Sequence, residues 1–259
     1  MNNDKITEIS SAAVANLVPA LAGLTGNATI ACAGAIVAPI LQYGISEVLY
    51  ELTGNLQRKR VVASANLTCN TIKDKLETGQ QLRSDDFLQF KNNPFLEEKE
   101  SSASKLFEGT LLKAKEEYDS KKLPYFSFLT ANILFAPNID ESKAFVLLEI
   151  LNKLSYRQLC ALRIFFQKNI LPVGQWEARI KATSSLQNYY DIAYEFISLK
   201  DSLLIEQYLP NGGQGIGISN YNISSLGKEL VITANLLAIP NDDLSYLESK
   251  VKYITSSLA

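Results

Sequence analysis

The sequence contains no histidine, and this absence removes several classes of enzyme. Without an imidazole, the Ser-His-Asp and Cys-His forms of nucleophilic catalysis are excluded, and so is every metal site with a histidine ligand. The three cysteines, Cys32, Cys69 and Cys160, lie far apart and form no CxxC pair. We therefore predict a reducing compartment without a disulfide framework, in which these cysteines are small buried hydrophobic residues.

Strong net charge and catalytic signatures are also lacking. The formal net charge is −2, so no global basic field attracts nucleic acid or anionic lipid, and any such site must be local. The glycine-rich residues 212–217 lack the Lys-Ser/Thr pair of a phosphate-binding loop, so a turn with strand glycines explains them. No metal constellation, nucleotide fingerprint or nucleophile with its base is readable. We predict a protein that is not an enzyme and uses no cofactor or metal.

Charged residues are absent from one long stretch, residues 9–46, in a chain of which 20% is charged. Gly23, Gly26 and Asn27 predict a break inside it. The second part, residues 28–52, is long enough as a helix for a bilayer core, which needs about 20 residues. Its small residues recur four positions apart, a spacing that lets helices approach closely in lipid.

This stretch predicts a membrane or pore segment over residues 1–56. The basic residues 58–60 follow it and mark the cytoplasmic side, which predicts a membrane protein with a cytoplasmic soluble body. The candidate pore residues are Asn27, Gly34, Ala38, Gln42 and Glu47. An alternative stays open, because a soluble oligomer could bury the same segment at its subunit contacts.

The following region, residues 57–170, predicts a helical body. Residues 58–78 predict a helix that ends at Gly79, and residues 101–119 place apolar side chains on one helix face. Pro124 opens an apolar helix, and Ser155 with Gln158 forms a capping box for another. Helices joined by short loops are typical of a helical bundle.

The C-terminal region, residues 171–259, carries the clearest β signal. Residues 203–224 predict a hairpin around a Pro-Asn-Gly-Gly turn, and a helix follows from Ser225. This succession resembles a winged-helix fragment, in which residues 226–230 pack the helix under the wing. The predicted fold class is therefore mainly α: a membrane-type helical hairpin, a helical bundle and a small winged-helix-like β-hairpin near the C-terminus.

Two further patterns in this C-terminal region predict binding and assembly. Basic residues alternate with aromatic ones, a pattern that can follow a phosphate backbone and stack bases, although an amphipathic helix with extended cations is the simpler explanation. The candidate ligand-binding residues are Trp176, Arg179, Lys181 and Tyr189. The last helix has an a/d seam for assembly, for which core packing is the alternative. The seam residues are Leu244, Leu247, Val251 and Ile254.

Residues 105–168 resemble a known protein family. The segments LFEGTLLKAKEEYDSKKLPYFSFLTANILF and ILNKLSYRQLCALRIFF are similar to Hailong-type anti-phage membrane effectors, which join a Gly- and Ala-rich membrane segment to a helical soluble domain. The resemblance implies a homo-oligomeric ion channel, such as a tetramer. It implies that a single-stranded DNA signal, or a nucleotide made by a partner nucleotidyltransferase, holds the channel closed.

The functional expectation that follows from this resemblance is an oligomeric effector of anti-phage defence in the bacterial inner membrane. As a gated ion channel it would depolarise the membrane when its signal changes, which leads to abortive infection. The alternative is a soluble oligomeric helical adaptor or a nucleic-acid-binding module.

Overall fold

A computed structural model describes residues 28–50, 54–95, 98–182, 188–208 and 220–256 of the chain. The fold is mainly α-helical with a few short antiparallel strands, as the sequence predicts. It divides into two compact units, residues 1–152 (unit 1) and 153–259 (unit 2). The sequence instead predicts three segments, with boundaries after residues 56 and 170. The division differs because residues 28–50 pack within unit 1, and the helix that precedes residue 170 packs within unit 2.

Unit 1 is a bundle of helices with one small hairpin. Its helices are α1 (Ala28–Tyr50), α2 (Asn55–Glu77), α3 (Ser102–Glu116), α4 (Leu123–Ile133) and α5 (Glu141–Lys153), the last of which ends at the unit boundary. Strands β1 (Lys91–Asn93) and β2 (Glu98–Glu100) pair between α2 and α3. Helix α1 packs mainly on α3, and α2 packs on both α3 and α4.

The helix faces and ends of unit 1 follow the sequence pattern. The predicted apolar face of α3 is buried, except for Tyr118, which is 87% exposed because the helix ends at Glu116. Gly79 follows α2 with φ +83°, the left-handed conformation that favours glycine at a helix end. Pro124 lies in the first turn of α4. Each of these helix signals is therefore confirmed, apart from the last turn of α3.

Polar groups also lie within the core of unit 1. The hydroxyl oxygens of Ser64 and Ser127 are 2.9 Å apart, and those of Thr110 and Thr130 are 2.5 Å apart, with all four side chains buried. A buried hydroxyl without a partner costs free energy, so each pair favours one alignment of its two helices. These pairs join α2 to α4 and α3 to α4.

Two buried cations tie loops of unit 1 to helix ends. The Arg83 guanidinium donates to the Ile139 carbonyl at 2.8 Å and to Asp85, and its hydrogen bonds lower the pKa of the Asp85 carboxyl. The Lys122 ammonium lies 2.8 Å from the Glu117 carboxylate and 2.7 Å from the Asn152 carbonyl. Because both cations have their polar partners in loops and helix ends, these charges hold the bundle's connections in place.

Unit 2 surrounds a small three-stranded sheet. Its elements are α6 (Tyr156–Lys168), β3 (Ile170–Leu171), α7 (Val173–Ala182), α8 (Tyr190–Asp201), β4 (Ile205–Gln207), β5 (Tyr221–Ile223), α9 (Ser225–Thr233) and α10 (Asn241–Ser256). The strand order is β3-β5-β4, and both pairings are antiparallel. The predicted hairpin is confirmed as β4 and β5, while its turn at residues 209–219 lies outside the described residues.

This order of elements resembles that of a winged helix. A helix, a short strand, two helices and a hairpin follow one another, and the last strand lies in the middle of the sheet. Helix α8 occupies the position of the recognition helix, the one that enters the DNA groove in DNA-binding members of this architecture. Helix α6 forms the centre of unit 2 and begins at the predicted capping box, in which Ser155 and Gln158 each accept the other's backbone N–H.

Gly227 in α9 lies against the strand region, where no side chain fits. A Cβ atom placed there would lie 2.2 Å from the Leu204 carbonyl oxygen and 2.8 Å from Ile223 Cγ1. Helix propensity alone predicts that Gly→Ala would stabilise a helix by about 1 kcal/mol. We expect the opposite sign for Gly227→Ala, a loss of about 1–3 kcal/mol, because the backbone must move. Urea denaturation measures it, with Lys228→Ala, on the exposed side, as the control. A more stable Gly227→Ala protein would contradict this close packing.

Candidate functional site

Trp176 lies in the core of unit 2 and is fully buried. Its indole ring packs edge-on against Phe196 with a centroid distance of 5.2 Å, and Phe196 in turn contacts Phe165 at 5.8 Å. The indole N–H has no hydrogen-bond partner among the described residues. The predicted stacking of a base on Trp176 is therefore wrong for this fold, since no face of the ring reaches the surface.

Tyr189, by contrast, belongs to an aromatic group at the surface. Its ring stacks on Tyr253 with a centroid distance of 5.2 Å and an interplanar angle of 24°. The Lys250 ammonium lies 5.3 Å from the Tyr189 ring centre and 5.4 Å from that of Tyr246. Tyr246 and Tyr253 are about half exposed. We call these four residues the tyrosine cluster.

Three members of the tyrosine cluster were not among the residues predicted from the sequence. Tyr246, Lys250 and Tyr253 are four and three positions apart, so they share one face of α10. The sequence feature that could have identified them is that this face lies beside the apolar seam of the same helix. Exposed aromatic rings with a cation above them can stack on planar groups or form the centre of a protein interface.

The outward face of α8 is acidic as well as aromatic. Tyr190 and Tyr194 are exposed, and Asp191 and Glu195 share the one cation Arg157, at 3.1 Å and 3.6 Å. Partial burial raises the pKa of the Glu195 carboxyl, while Arg157 opposes that rise. A phosphate backbone on this face would meet two carboxylates, which disfavours its binding there.

The other two predicted ligand-binding residues are only partly described. Arg179 and Lys181 lie in α7, as the sequence indicates, but their side chains are outside the described part of the structure. Their role in binding stays a prediction. The structure brings Tyr189 together with α10, and it separates Trp176 from the surface.

The predicted assembly seam is part of the core of unit 2. Leu244, Leu247, Val251 and Ile254 are each at most 3% exposed. Their helix, α10, packs on α6 and α8 of the same chain. The seam cannot contact another subunit while unit 2 is folded, and the alternative of core packing is confirmed.

The predicted pore residues lie on different sides of α1. Gly34 is buried, Ala38 is half-buried and Gln42 is exposed. Asn27 lies outside the described residues, and so does the side chain of Glu47 in α1. The described part of the chain contains no helix with the length and hydropathy that crossing a bilayer requires.

Helix α1 packs in unit 1 through one apolar face. Val37, Ile40 and Ile45 are at most 2% exposed, and a Cβ atom on Gly44 would lie only 2.7 Å from the Phe107 ring. Ala35, Ile36 and Pro39 lie outside this buried face and are exposed although they are apolar. We call these three residues the outer face of α1.

The thiols lie in the core, as the sequence predicts for Cys69 and Cys160, which are both buried. Burial raises the pKa of the Cys69 thiol to about 12, so it stays protonated at neutral pH. The side chain of Cys32 lies outside the described residues. Within the residues that are described, no three Cys, Asp or Glu side chains lie close enough together to hold a metal ion.

Comparisons with known protein families, curated proteins and solved structures find nothing that matches this chain.

Proposed function

We propose that the protein is a helical adaptor, which binds other macromolecules and assembles with copies of itself through the outer face of α1. The observation that carries this proposal is that α1 exposes apolar side chains outside its buried face. Val37 and Ile40 are buried within unit 1, while Ile36, at the edge of that buried face, is 46% exposed. Adjacent exposed apolar side chains favour a contact that covers them, and a second copy of α1 is the proposed cover.

Unit 2 supplies the binding surface of the proposed adaptor. The tyrosine cluster offers exposed rings, and tyrosine is enriched at the energetic centres of protein interfaces. The acidic face of α8 disfavours a phosphate backbone and favours a basic segment of a protein partner. The chain acts in this proposal by binding and not by catalysis.

A membrane effector of anti-phage defence is the second candidate. It is favoured by the uncharged stretch of residues 9–46, which continues along the outer face of α1, and by the resemblance of residues 105–168 to Hailong-type effectors. In this candidate the outer face meets lipid in a homo-oligomeric ion channel of the inner membrane. A nucleic-acid or nucleotide signal bound by the body would then set the channel state.

The substitution Ile36→Lys separates the two candidates. For the adaptor, we expect wild-type protein in the supernatant without detergent at a mass well above the 28.6 kDa of one chain. Ile36→Lys should lower this mass towards 28.6 kDa without loss of helicity, because lysine at a covered apolar contact carries a large desolvation cost. Cell fractionation followed by light scattering measures both properties, and Ile36→Leu is the matched control.

The membrane candidate gives a different result in the same experiment. Wild-type protein would pellet with membranes, and Ile36→Lys would cost roughly 2.5–3.5 kcal/mol of insertion, which moves protein out of the pellet. Pelleting of the wild type would therefore overturn the adaptor. A wild-type mass of one chain in the supernatant would overturn assembly through α1.

A further inference from the structure

We propose that the groove between β3 and α10 of unit 2 binds a small organic phosphate. The groove has a volume of about 600 Å³, within the range of roughly 300–1,000 Å³ in which small molecules are usually bound. It is lined by Lys168 and Leu171 on one side and by one side of α10 on the other. The tyrosine cluster residues are not among those that line it, so the two are different surfaces.

Two ammonium groups give the groove its preference for an anion. Lys168 at the end of α6 and Lys252 on α10 both line it and are both exposed. Neither has an ion pair within the described residues, and Glu248 is the one carboxylate on the lining. Lysine binds phosphate as a point charge, so two unpaired lysines beside one groove favour a doubly charged phosphate monoester.

The hydroxyl groups that line the groove differ in whether they already donate a hydrogen bond. Ser245 and Ser249 donate to backbone carbonyls one turn earlier on α10, at 2.8 Å and 2.7 Å, and Ser256 does the same at 2.9 Å. The Thr255 hydroxyl oxygen is buried and has no hydrogen-bond partner in the described part of the chain. Thr255 therefore has a hydrogen bond to gain, and a rotation of its side chain would bring the hydroxyl to a phosphate oxygen in the groove.

The apolar floor of the groove indicates the chemistry of the rest of the ligand. Leu171 and Val251 line it and are 5% and 3% exposed, so a ligand that fills the groove rests on aliphatic side chains. Inorganic phosphate would not cover these aliphatic side chains, so it would gain no free energy from their removal from water. We therefore assign the groove to a phosphate group carried on an apolar body. The inference concerns unit 2 alone and does not depend on assembly through α1.

Calorimetry of the full-length protein with phenyl phosphate at low salt tests this inference. We expect saturable binding that is about tenfold tighter than that of inorganic phosphate, and no binding of benzyl alcohol, which has the ring without the charge. The double variant Lys168→Gln/Lys252→Gln should lose affinity about tenfold or more, and Thr255→Val should lose several-fold. The control Lys200→Gln/Lys228→Gln removes the same charge from α8 and α9 and should bind as wild type does.

Three results would overturn the inference. The first is that wild-type protein shows no binding of phenyl phosphate at millimolar concentration. The second is an equal loss of affinity in the control variant, which would mean that binding follows net charge and not the groove. The third is equal affinity for inorganic phosphate and phenyl phosphate, which would mean an adventitious ion only. Both lysines are exposed, so we expect wild-type circular dichroism from the double variants.

Discussion

The substitution Ile40→Lys is expected to unfold unit 1, whereas Gln42→Lys on the same helix should leave it folded. Ile40 is fully buried, so an ammonium at that position would be removed from water. An uncompensated buried charge costs about 3–5 kcal/mol, which approaches the whole stability of an ordinary domain of roughly 5–15 kcal/mol. Gln42 is exposed, and a surface substitution usually changes stability by no more than about 0.5 kcal/mol.

Hydrogen exchange resolved by segment is the suitable measurement for this pair. A protein with two units need not unfold in one step, so a single midpoint would mix their stabilities. Ile40→Lys should remove the protection of amides in α1 and α3 and leave those of α6 protected. Equal effects at positions 40 and 42 would contradict the packing of α1, because two residues at similar depth in lipid would cost similar amounts.

The substitution Trp176→Ala is expected to destabilise unit 2 by about 3–5 kcal/mol, the usual cost of removing a large aromatic ring from a core. The ring is fully buried and contacts Phe196, so its loss leaves a cavity that the neighbouring side chains cannot fill. Trp176→Phe should cost much less, since it keeps an aromatic ring and the indole N–H has no hydrogen bond to lose.

Urea denaturation followed by circular dichroism measures this difference, with Tyr194→Ala as the control. Tyr194 is 65% exposed, so its removal should change the free energy of unfolding by no more than about 0.5 kcal/mol. Trp176→Ala protein with wild-type stability would contradict the buried placement. Any loss of ligand binding in Trp176→Ala would follow from unfolding, and Trp176→Phe shows whether binding survives when unit 2 stays folded.

Local patterns in the sequence predicted the individual helices well. The capping box at Ser155, the proline in the first turn of α4 and the apolar face of α3 all form as expected, because each depends on residues within one or two helical turns. The hairpin of β4 and β5 was predictable for the same reason, since its signals lie within about 20 residues. These features need no knowledge of the rest of the fold.

Features that depend on distant residues were not predictable. Strand β3 has two residues, too few for any pattern, and it exists because β5 pairs with it. Trp176 lies among basic residues in the sequence, and only the placement of Phe196 against it makes it a core residue. The tyrosine cluster likewise joins Tyr189 to a helix that begins some 50 residues later in the chain.

Helix α1 illustrates an ambiguity that sequence cannot resolve. A helix for lipid and a helix at the centre of a bundle need the same apolar side chains on most sides. The distinguishing feature is the close approach of Gly44 to Phe107, which requires a partner helix more than 60 residues away. No spacing within residues 28–50 encodes that contact.

The strand order of unit 2 has a consequence for protein synthesis. The middle strand, β5, is the last to be made, and it follows β3 by about 50 residues. At a translation rate of about 5–20 residues per second, β3 waits roughly 3–10 s on the ribosome before its partner exists. Unit 1 is synthesised before β3, whereas the backbone groups of β3 that pair with β5 have no strand partner until β5 emerges.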